Sequence, residues 1–143
     1  DVQGAKMNPN YVHTITLYNR IRAADTKDRK EKWIRTVISG CFYKAQVNTV
    51  LTTQATVSNT YTVRIPKDSR YLSYLEFLKN PAGHFTVSMD DIVVVGICQE
   101  EITGTDGYTA TQLLTRNKPN AFKVTAFSDN TNHLTNKHYR LGG

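Results

Sequence analysis

The sequence predicts a mainly β domain, a small β-barrel or sandwich of about seven strands with one short helix. Apolar and polar residues alternate in short segments such as Tyr61-Thr62-Val63-Arg64-Ile65, which is the period of a half-buried strand. The segments are rich in β-branched and aromatic residues, and turn residues separate them. With 143 residues, 39% of them hydrophobic, the chain has the size of one domain.

The chain divides into a short arm and this domain. Residues 1–10 contain Gly4, Asn8 and Pro9 but no periodic apolar positions, so we interpret them as a flexible N-terminal arm. Residues 11–143 then form a single β-rich domain. Because no apolar run approaches the roughly 20 residues that cross a bilayer, we expect no membrane partner.

The first strands follow from the alternation of apolar residues with Thr and Tyr. It predicts a strand over 12–18. Residues 20–32 are charged and have no apolar face that could dock a helix, so they form a loop, with room for a short helical turn. Residues 33–46 are β-branched and aromatic on both sides of Gly40. They form either one bent strand or two strands that meet at Gly40.

The middle of the chain contains an arm, a strand and the predicted helix. Residues 48–59 are rich in Thr, Ser and Asn and low in charge, which predicts an extended hairpin arm or loop. A strand over 61–65 ends in a turn over 66–69. The helix is predicted over 73–80, because a serine can cap its start and an Asn-Pro pair stops it.

The second half holds the most apolar segment, residues 92–98. Because it is apolar on both faces, we predict that it is the central strand of the core. A turn follows at 106–107, and residues 111–116 form a short helix or a turn. The last strands are predicted over 121–128 and 137–141.

Charge is unevenly distributed along the chain, whose net charge is +6. The segment 20–35 is basic, whereas 80–115 contains no Lys or Arg and five acidic residues. We predict that these regions meet between copies of the chain, either adjacent subunits of one ring or subunits of two rings, with opposite charges facing each other. The candidate interface residues are Arg29, Lys30, Lys32, Asp90, Asp91, Glu100, Glu101 and Asp106.

No motif indicates catalysis, a cofactor or a metal. The four histidines are scattered singly, and no glycine-rich loop carries the lysine of a phosphate site. Cys41 and Cys98 are expected to be buried free thiols, with a disulfide or a histidine-assisted thiol as open alternatives. We therefore expect no enzyme, no cofactor and no small-molecule substrate.

A nucleic-acid-binding β-barrel module is the alternative function. The cations of residues 27–32 lie near Tyr18 and Trp33 in the sequence, and aromatic stacking combined with phosphate neutralisation is typical of nucleic-acid binding. However, acidic residues dilute this basic segment, and Trp33 opens an apolar strand. We expect Trp33 in the core.

Six short phrases, in a fixed order from residue 14 to the end, carry a resemblance. They are Ile15-Thr16-Leu17-Tyr18-Asn19, Trp33-Ile34-Arg35-Thr36-Val37-Ile38-Ser39-Gly40, Ile65-Pro66, Tyr71 with Ser73, Glu76 and Phe77, Asp91 to Gly96, and His138-Tyr139-Arg140-Leu141-Gly142-Gly143. Together they resemble a family of small virion proteins of long-tailed phages and prophages, encoded between the capsid and tail-tube genes. Tyr139 stands where that family has Trp, and the arm at 48–59 is longer.

The resemblance implies a structural protein of the head-to-tail connector, similar to head-closure or tail-completion proteins. Such proteins form a ring of identical subunits below the portal, retain packaged DNA and give the tail a docking surface. It therefore implies contacts with copies of the same chain, with portal, connector or tail proteins and with packaged DNA. It also implies a location in the virion and no catalytic residues.

Overall fold

The structure, a computed structural model, describes residues 11–50, 56–132, 134–135 and 137–143. The predicted N-terminal arm and the tip of the predicted arm at 51–55 lie outside these residues. Seven antiparallel strands form one curled sheet, a half-barrel, accompanied by short helices. The prediction of a mainly β, barrel-like fold is confirmed.

The strands lie in the order β5-β4-β1-β2-β3-β7-β6 across the sheet. They are β1 (His13–Ile21), β2 (Lys32–Val50), β3 (Thr56–Pro66), β4 (Ile92–Val95), β5 (Ala121–Lys123), β6 (Ala126–Asp129) and β7 (His138–Gly142). The helices are α1 (Tyr74–Lys79) and α2 (Ala110–Asn117), and a single 3-10 turn, Ala23–Asp25, lies in the charged loop.

Strand β2 is one bent strand of 19 residues, which resolves the two alternatives left open at Gly40. Gly40 has a φ of +70°, a left-handed conformation that only glycine adopts without strain. Up to Cys41, β2 pairs with β1, and from Phe42 onward it pairs with β3. The same strand therefore belongs to both halves of the curled sheet.

The single strand predicted over 121–128 is wrong, because the segment splits into β5 and β6 at opposite ends of the sheet. The two residues that link β5 to β6 form backbone hydrogen bonds with two different segments of the chain. Val124 N donates to Asp91 O (2.7 Å), and Thr125 N donates to Gly142 O (2.8 Å). Since the sheet curls, this short link can join its two ends.

The inner core lies between the two halves of the sheet. Tyr61 of β3 and Phe122 of β5, from opposite halves, stack with their ring centroids 4.8 Å apart. The buried residues of this cluster are Ile15, Leu17, Ile38, Cys41, Tyr61, Val63, Ile65, Phe85, Val87, Val93, Phe122, Val124, Tyr139 and Leu141. Their burial is the main force that keeps the sheet curled.

A second apolar cluster explains why β4 is apolar on both faces. Val93 faces the inner core, whereas Ile92 and Val94 face outward and pack with Leu113 of α2. The prediction of a central strand extending to residue 98 is wrong. β4 ends at Val95, because Gly96 turns the chain at a φ of +87°, and β4 lies second from one end of the sheet.

The first helix, α1, lies where the sequence predicts a helix, and α2 lies where the sequence allows either a helix or a turn. α1 spans the predicted helix, and its Phe77 is buried, although the Ser73 side chain makes no cap hydrogen bond. α2 occupies the segment left open between helix and turn. Its N-terminus carries a capping box, in which the Thr109 side chain accepts from Gln112 N and the Gln112 side chain accepts from Thr109 N.

The end of the described chain closes the seam between β3 and β5. Tyr61 N donates to Gly143 O (2.8 Å), and Gly143 N donates to Tyr61 O (3.1 Å). A Cβ at Gly143 would overlap the Phe122 ring and lie 2.6 Å from Lys123 O, whereas a Cβ at Gly142 would lie 3.4 Å from Ala126 Cβ. The lack of a side chain is therefore needed at Gly143, where the backbone lies close to Phe122 and Lys123, but it is not needed at Gly142.

We predict that Gly143→Ala lowers the free energy of unfolding by about 1 to 3 kcal/mol, because Phe122 and the seam must shift. Gly142→Ala is the matched control and should change it by less than about 1 kcal/mol. Urea unfolding followed by far-UV circular dichroism measures both. Equal stabilities of the two variants would contradict the close approach at the seam.

Candidate functional site

The predicted basic and acidic segments lie side by side on one face of the same protomer. Strand β1 lies between β2 and β4, and its pairing brings the charged loop beside the acidic residues that flank β4. Arg20 Nη1 lies 3.8 Å from Asp90 Oδ2, and Arg35 Nε lies 3.5 Å from Glu101 Oε1. The charges are separate along the sequence but adjacent in space.

Arg20 occupies the centre of this charged face. Its Nε donates to Glu31 Oε2 (2.7 Å), while its Nη1 lies near Asp90. Glu31 Oε1 accepts a second hydrogen bond from Trp33 Nε1 (2.9 Å). All these side chains remain partly exposed, so each ion pair contributes at most about 1 kcal/mol to stability. Together they set the direction of the side chains around Arg20.

The acidic residues after β4 also have partners within the protomer. Arg116 of α2 donates to Glu100 Oε1 through Nη2 (2.6 Å) and Nε (2.9 Å). Tyr18 Oη donates to the backbone carbonyl of Glu100 (2.7 Å). Burial raises the pKa of the Tyr18 hydroxyl, which therefore remains a donor at neutral pH. Asp106 has no ion pair in the described chain, but its Oδ1 accepts from Gln112 Nε2 (3.2 Å).

The predicted basic residues differ in what they contact. Lys32 Nζ pairs with Asp28 Oδ2 (3.3 Å). Arg29 has a φ of +57° in the loop, and both it and Lys30 are exposed. Within the described part of the chain, no carboxylate lies at ion-pair distance from either of these two side chains. Arg29 and Lys30 are therefore the predicted cations that are available to another molecule.

Asp91 does not lie on the charged face, in contrast to its placement among the interface residues. Its side chain is fully buried, and three N–H groups surround the carboxylate. Asn19 Nδ2 and Ser88 N donate to Oδ2 (2.9 and 2.8 Å), and Arg20 N donates to Oδ1 (2.9 Å). Asp91 therefore joins β1 to the segment before β4.

Burial dominates the titration of Asp91. It raises the pKa from the ordinary value of 3.8 to about 6, because removal from water disfavours the carboxylate, and the three N–H donors and Arg20 oppose this shift only in part. At pH 7 the group is mainly ionised. The hydrogen bonds suit that form, since every neighbour donates.

A cleft of about 360 Å³ opens on the charged face between α2 and the sheet. Its floor includes Trp33 and Ile92, and charged groups of both signs form its rim: Arg20, Glu31, Asp90 and Lys123. Trp33 is predicted from the sequence to lie in the core. It is partly buried and packs against the apolar cluster under α2, while the rest of the side chain faces the cleft. The rim charges balance, which suits a protein partner better than a small anion.

Cysteine and metal chemistry is limited in the described residues. Cys41 and Cys98 are buried and free, as predicted, and burial raises the pKa of the Cys41 thiol to about 12. Among the described residues, no group of three His, Cys, Asp or Glu side chains could hold a metal ion.

Sequence reasoning missed the residues that neutralise this face. Arg20, Arg35 and Arg116 each contact an acidic residue far away in the sequence, and Asn19 holds Asp91. The alternation of apolar and polar residues could have predicted that Arg20 and Arg35 lie on strands. Their acidic partners come close only because β1 pairs with β4, and local patterns in one sequence do not show which strands pair.

The fold and site define a small half-barrel domain whose charged face is held by ion pairs within the protomer. Residues 11–143 match the profile of a family of unknown function, DUF6751, and the chain belongs to this family. No curated protein and no solved structure matches the chain.

None of the described helices is long and apolar enough to cross a membrane.

We predict that Asp91→Asn lowers the free energy of unfolding by about 2 to 4 kcal/mol, because the new amide group faces buried N–H donors. Asp90→Asn is the matched control. Asp90 is exposed and has a φ of +73°, a conformation that Asn tolerates. The free energy of unfolding of this variant should therefore stay within about 0.5 kcal/mol of the parent value. Denaturant unfolding at pH 7 compares the two, and similar losses would show that Asp91 does not stabilise the fold.

We also predict that the Asp91 carboxyl titrates near pH 6 in the folded protein. Between about pH 4 and 6 the folded protein keeps this proton while the unfolded chain releases it, so the titration of Asp91 lowers stability as pH rises through that window. Carboxyl-carbon NMR, with Asp91→Asn to assign the resonance, measures the midpoint. A midpoint below 4 would show that the three donors outweigh burial.

Proposed function

We propose that this protein is a structural subunit of a phage or prophage head-to-tail connector, of the head-closure or tail-completion type. It acts by assembling into a ring and docking, without catalysis, in the virion. The observation that carries the proposal is the set of six phrases from residue 14 to the end that resemble such virion proteins. These phrases lie in β1, β2, β3, β4 and β7 and around α1.

The position of the phrases in the fold supports this proposal. The phrases that begin at Ile15 and at Trp33 pair with each other, with Leu17 opposite Thr36. The phrase that begins at Asp91 forms β4 and pairs with β1 on its other side, with Leu17 also opposite Val93. The resemblance therefore covers one continuous part of the sheet and extends to β7.

A two-stranded ribbon supports assembly with neighbouring subunits. Residues 46–50 of β2 and 56–60 of β3 pair with each other, and the β3–β7 ladder starts only at Thr62. This ribbon contains the described part of the predicted arm at 48–59. A two-stranded ribbon is marginally stable by itself, and strand edges commonly pair with another chain. A neighbouring subunit would supply the missing contacts.

The ion pairs within the protomer leave fewer charged residues for contacts between subunits than the sequence predicts. Most of the acidic residues near β4 already contact Arg20, Arg35 or Arg116. Arg29 and Lys30 remain without an ion pair in the described residues. A ring needs two different patches that meet, and we place the loop that carries Arg29 and Lys30 in one of them.

We expect the purified protein to form a closed oligomer larger than a dimer of the 16.2 kDa chain. Light scattering after size-exclusion chromatography gives its mass, and negative-stain electron microscopy shows whether it is a ring. A monomer over a concentration range up to about the millimolar level, with and without added DNA, would contradict ring assembly.

Lys30→Glu should shift the oligomer toward smaller species by at least about tenfold in apparent dissociation constant, because a reversed charge at an interface is costly. Lys79→Glu is the matched control, since Lys79 is an exposed cation at the C-terminal end of α1 and does not belong to the charged loop. Equal assembly of the two variants would exclude the loop from the interface.

A further inference from the structure

The outer face of β2, β3, β7 and β6 carries positive charge that has no partner in the described structure. Val63, Ile65, Tyr139 and Leu141 are buried against the core, so the residues that alternate with them point outward. α2 packs against β4 and β5 on the other half of the sheet. Apart from His138, which is buried, the outward side chains that the structure describes on these strands are exposed or half-buried.

A row of paired residues crosses this face. Arg64 of β3 lies opposite Phe42 of β2 on one side and opposite Arg140 of β7 on the other. Arg140 in turn lies opposite Ser128 of β6. Two arginines thus lie on adjacent strands, about 5 Å apart at the backbone. Like charges in this position repel each other, so the row favours an anion between or above them.

Neither arginine is neutralised within the described residues, where neither makes an ion pair. The Arg64 guanidinium lies over the Phe42 ring at 5.2 Å, and its Nε has no hydrogen-bond partner. Lys44, two residues along β2 from Phe42, is a third cation on this face and is exposed. Among the outward positions that the structure describes on these four strands, none is acidic.

A groove runs beside the arginine row. In the next row Thr62 lies opposite Gly142, and Gly142 lies opposite Ala126. These small residues leave a groove of about 300 Å³, with Arg140 in its wall. An extended ligand can lie in this groove with its charges against the arginines.

The chain itself does not supply the missing negative charge. Most acidic side chains already have partners: Asp25, Asp28, Glu31, Asp68, Asp90, Glu100 and Glu101 are in ion pairs. Asp91 is buried. Residues 1–10 contain one acidic residue, Asp1, and one basic residue, Lys6, so their net charge is not negative. The other three acidic residues, Glu76, Asp106 and Asp129, make no ion pair with either arginine in the described structure. An anion that neutralises the arginines therefore comes from another molecule.

We propose that this face binds the phosphodiester backbone of a nucleic acid. The arginine fork matches phosphate oxygens, and nucleic-acid interfaces are polar and strongly positive. Protein interfaces instead have an apolar, often aromatic centre. None of the large exposed apolar residues in the described chain lies at an outward position of these four strands; they are Val12, Leu75, Met89, Ile97, Tyr108 and Leu134.

The nucleic-acid face is distinct from the loop that the sequence suggested. In that loop, Asp28 pairs with Lys32 and Glu31 pairs with Arg20, which lowers the charge available to a phosphate. The inference does not depend on the connector proposal, since a single protomer carries the whole face. Binding and assembly can therefore be measured separately.

The test is fluorescence anisotropy with labelled 20-nucleotide single-stranded and duplex DNA, titrated at salt concentrations from 50 to 300 mM. We expect the protein to bind at least one of them, with log affinity falling linearly with log salt. Arg64→Gln with Arg140→Gln should weaken binding at least about tenfold at 50 mM salt and reduce the salt slope by about 2. Arg140→Gln alone, at an exposed position, should reduce the slope by about 1.

The matched control is Arg29→Gln with Lys30→Gln, which removes the same charge from the loop and should change affinity less than about threefold. Circular dichroism verifies that each variant is folded. The proposal is overturned if the parent protein binds neither DNA at 50 mM salt, or if the loop variant loses as much affinity as the arginine variants. It is also overturned if polyglutamate displaces the DNA as well as unlabelled DNA does.

Discussion

The bend of β2 at Gly40 is the constraint on which the rest of the structure depends. One strand of 19 residues pairs with β1 before the bend and with β3 after it. β1 then pairs with β4, and β3 pairs with β7, so each half of the sheet grows outward from β2. Because the halves face each other, their apolar sides form one core. The curled sheet also allows the two-residue link between β5 and β6 to join its ends.

The same pairing determines which charges are available. β1 brings Arg20 to Asp90, and the neighbouring strands bring Arg35 to Glu101, so the segments that are most charged in sequence largely neutralise each other. The arginines of β3 and β7 are left without ion pairs in the described residues. The two proposals use different charges for this reason: Arg29 and Lys30 of the loop for assembly, and Arg64 and Arg140 of the open sheet face for nucleic acid.

Local chemistry made several features predictable. Alternation indicated β1 and the second half of β3, and β-branched and aromatic composition indicated the two parts of β2. The cap and stop residues indicated α1. The buried cysteines followed from their apolar surroundings. Other predictions failed because they depend on partners distant in sequence. Residues 121–128 look like one strand, but their two ends pair with β4 and with β7. Asp90 and Asp91 look equivalent, yet Asn19 of β1 holds only the second.

The sequence by itself determined where most of the strands, turns and buried apolar positions fall, because hydrophobic period and turn chemistry act over a few neighbouring residues. Only the tertiary structure decided which faces are covered and which charges are paired. Burial of Ile92 and Val94 requires α2, and neutralisation of Glu100 requires Arg116. Desolvation and Coulomb attraction depend on distance in space, and residues about 70 positions apart become neighbours only when β1 takes its place between β2 and β4.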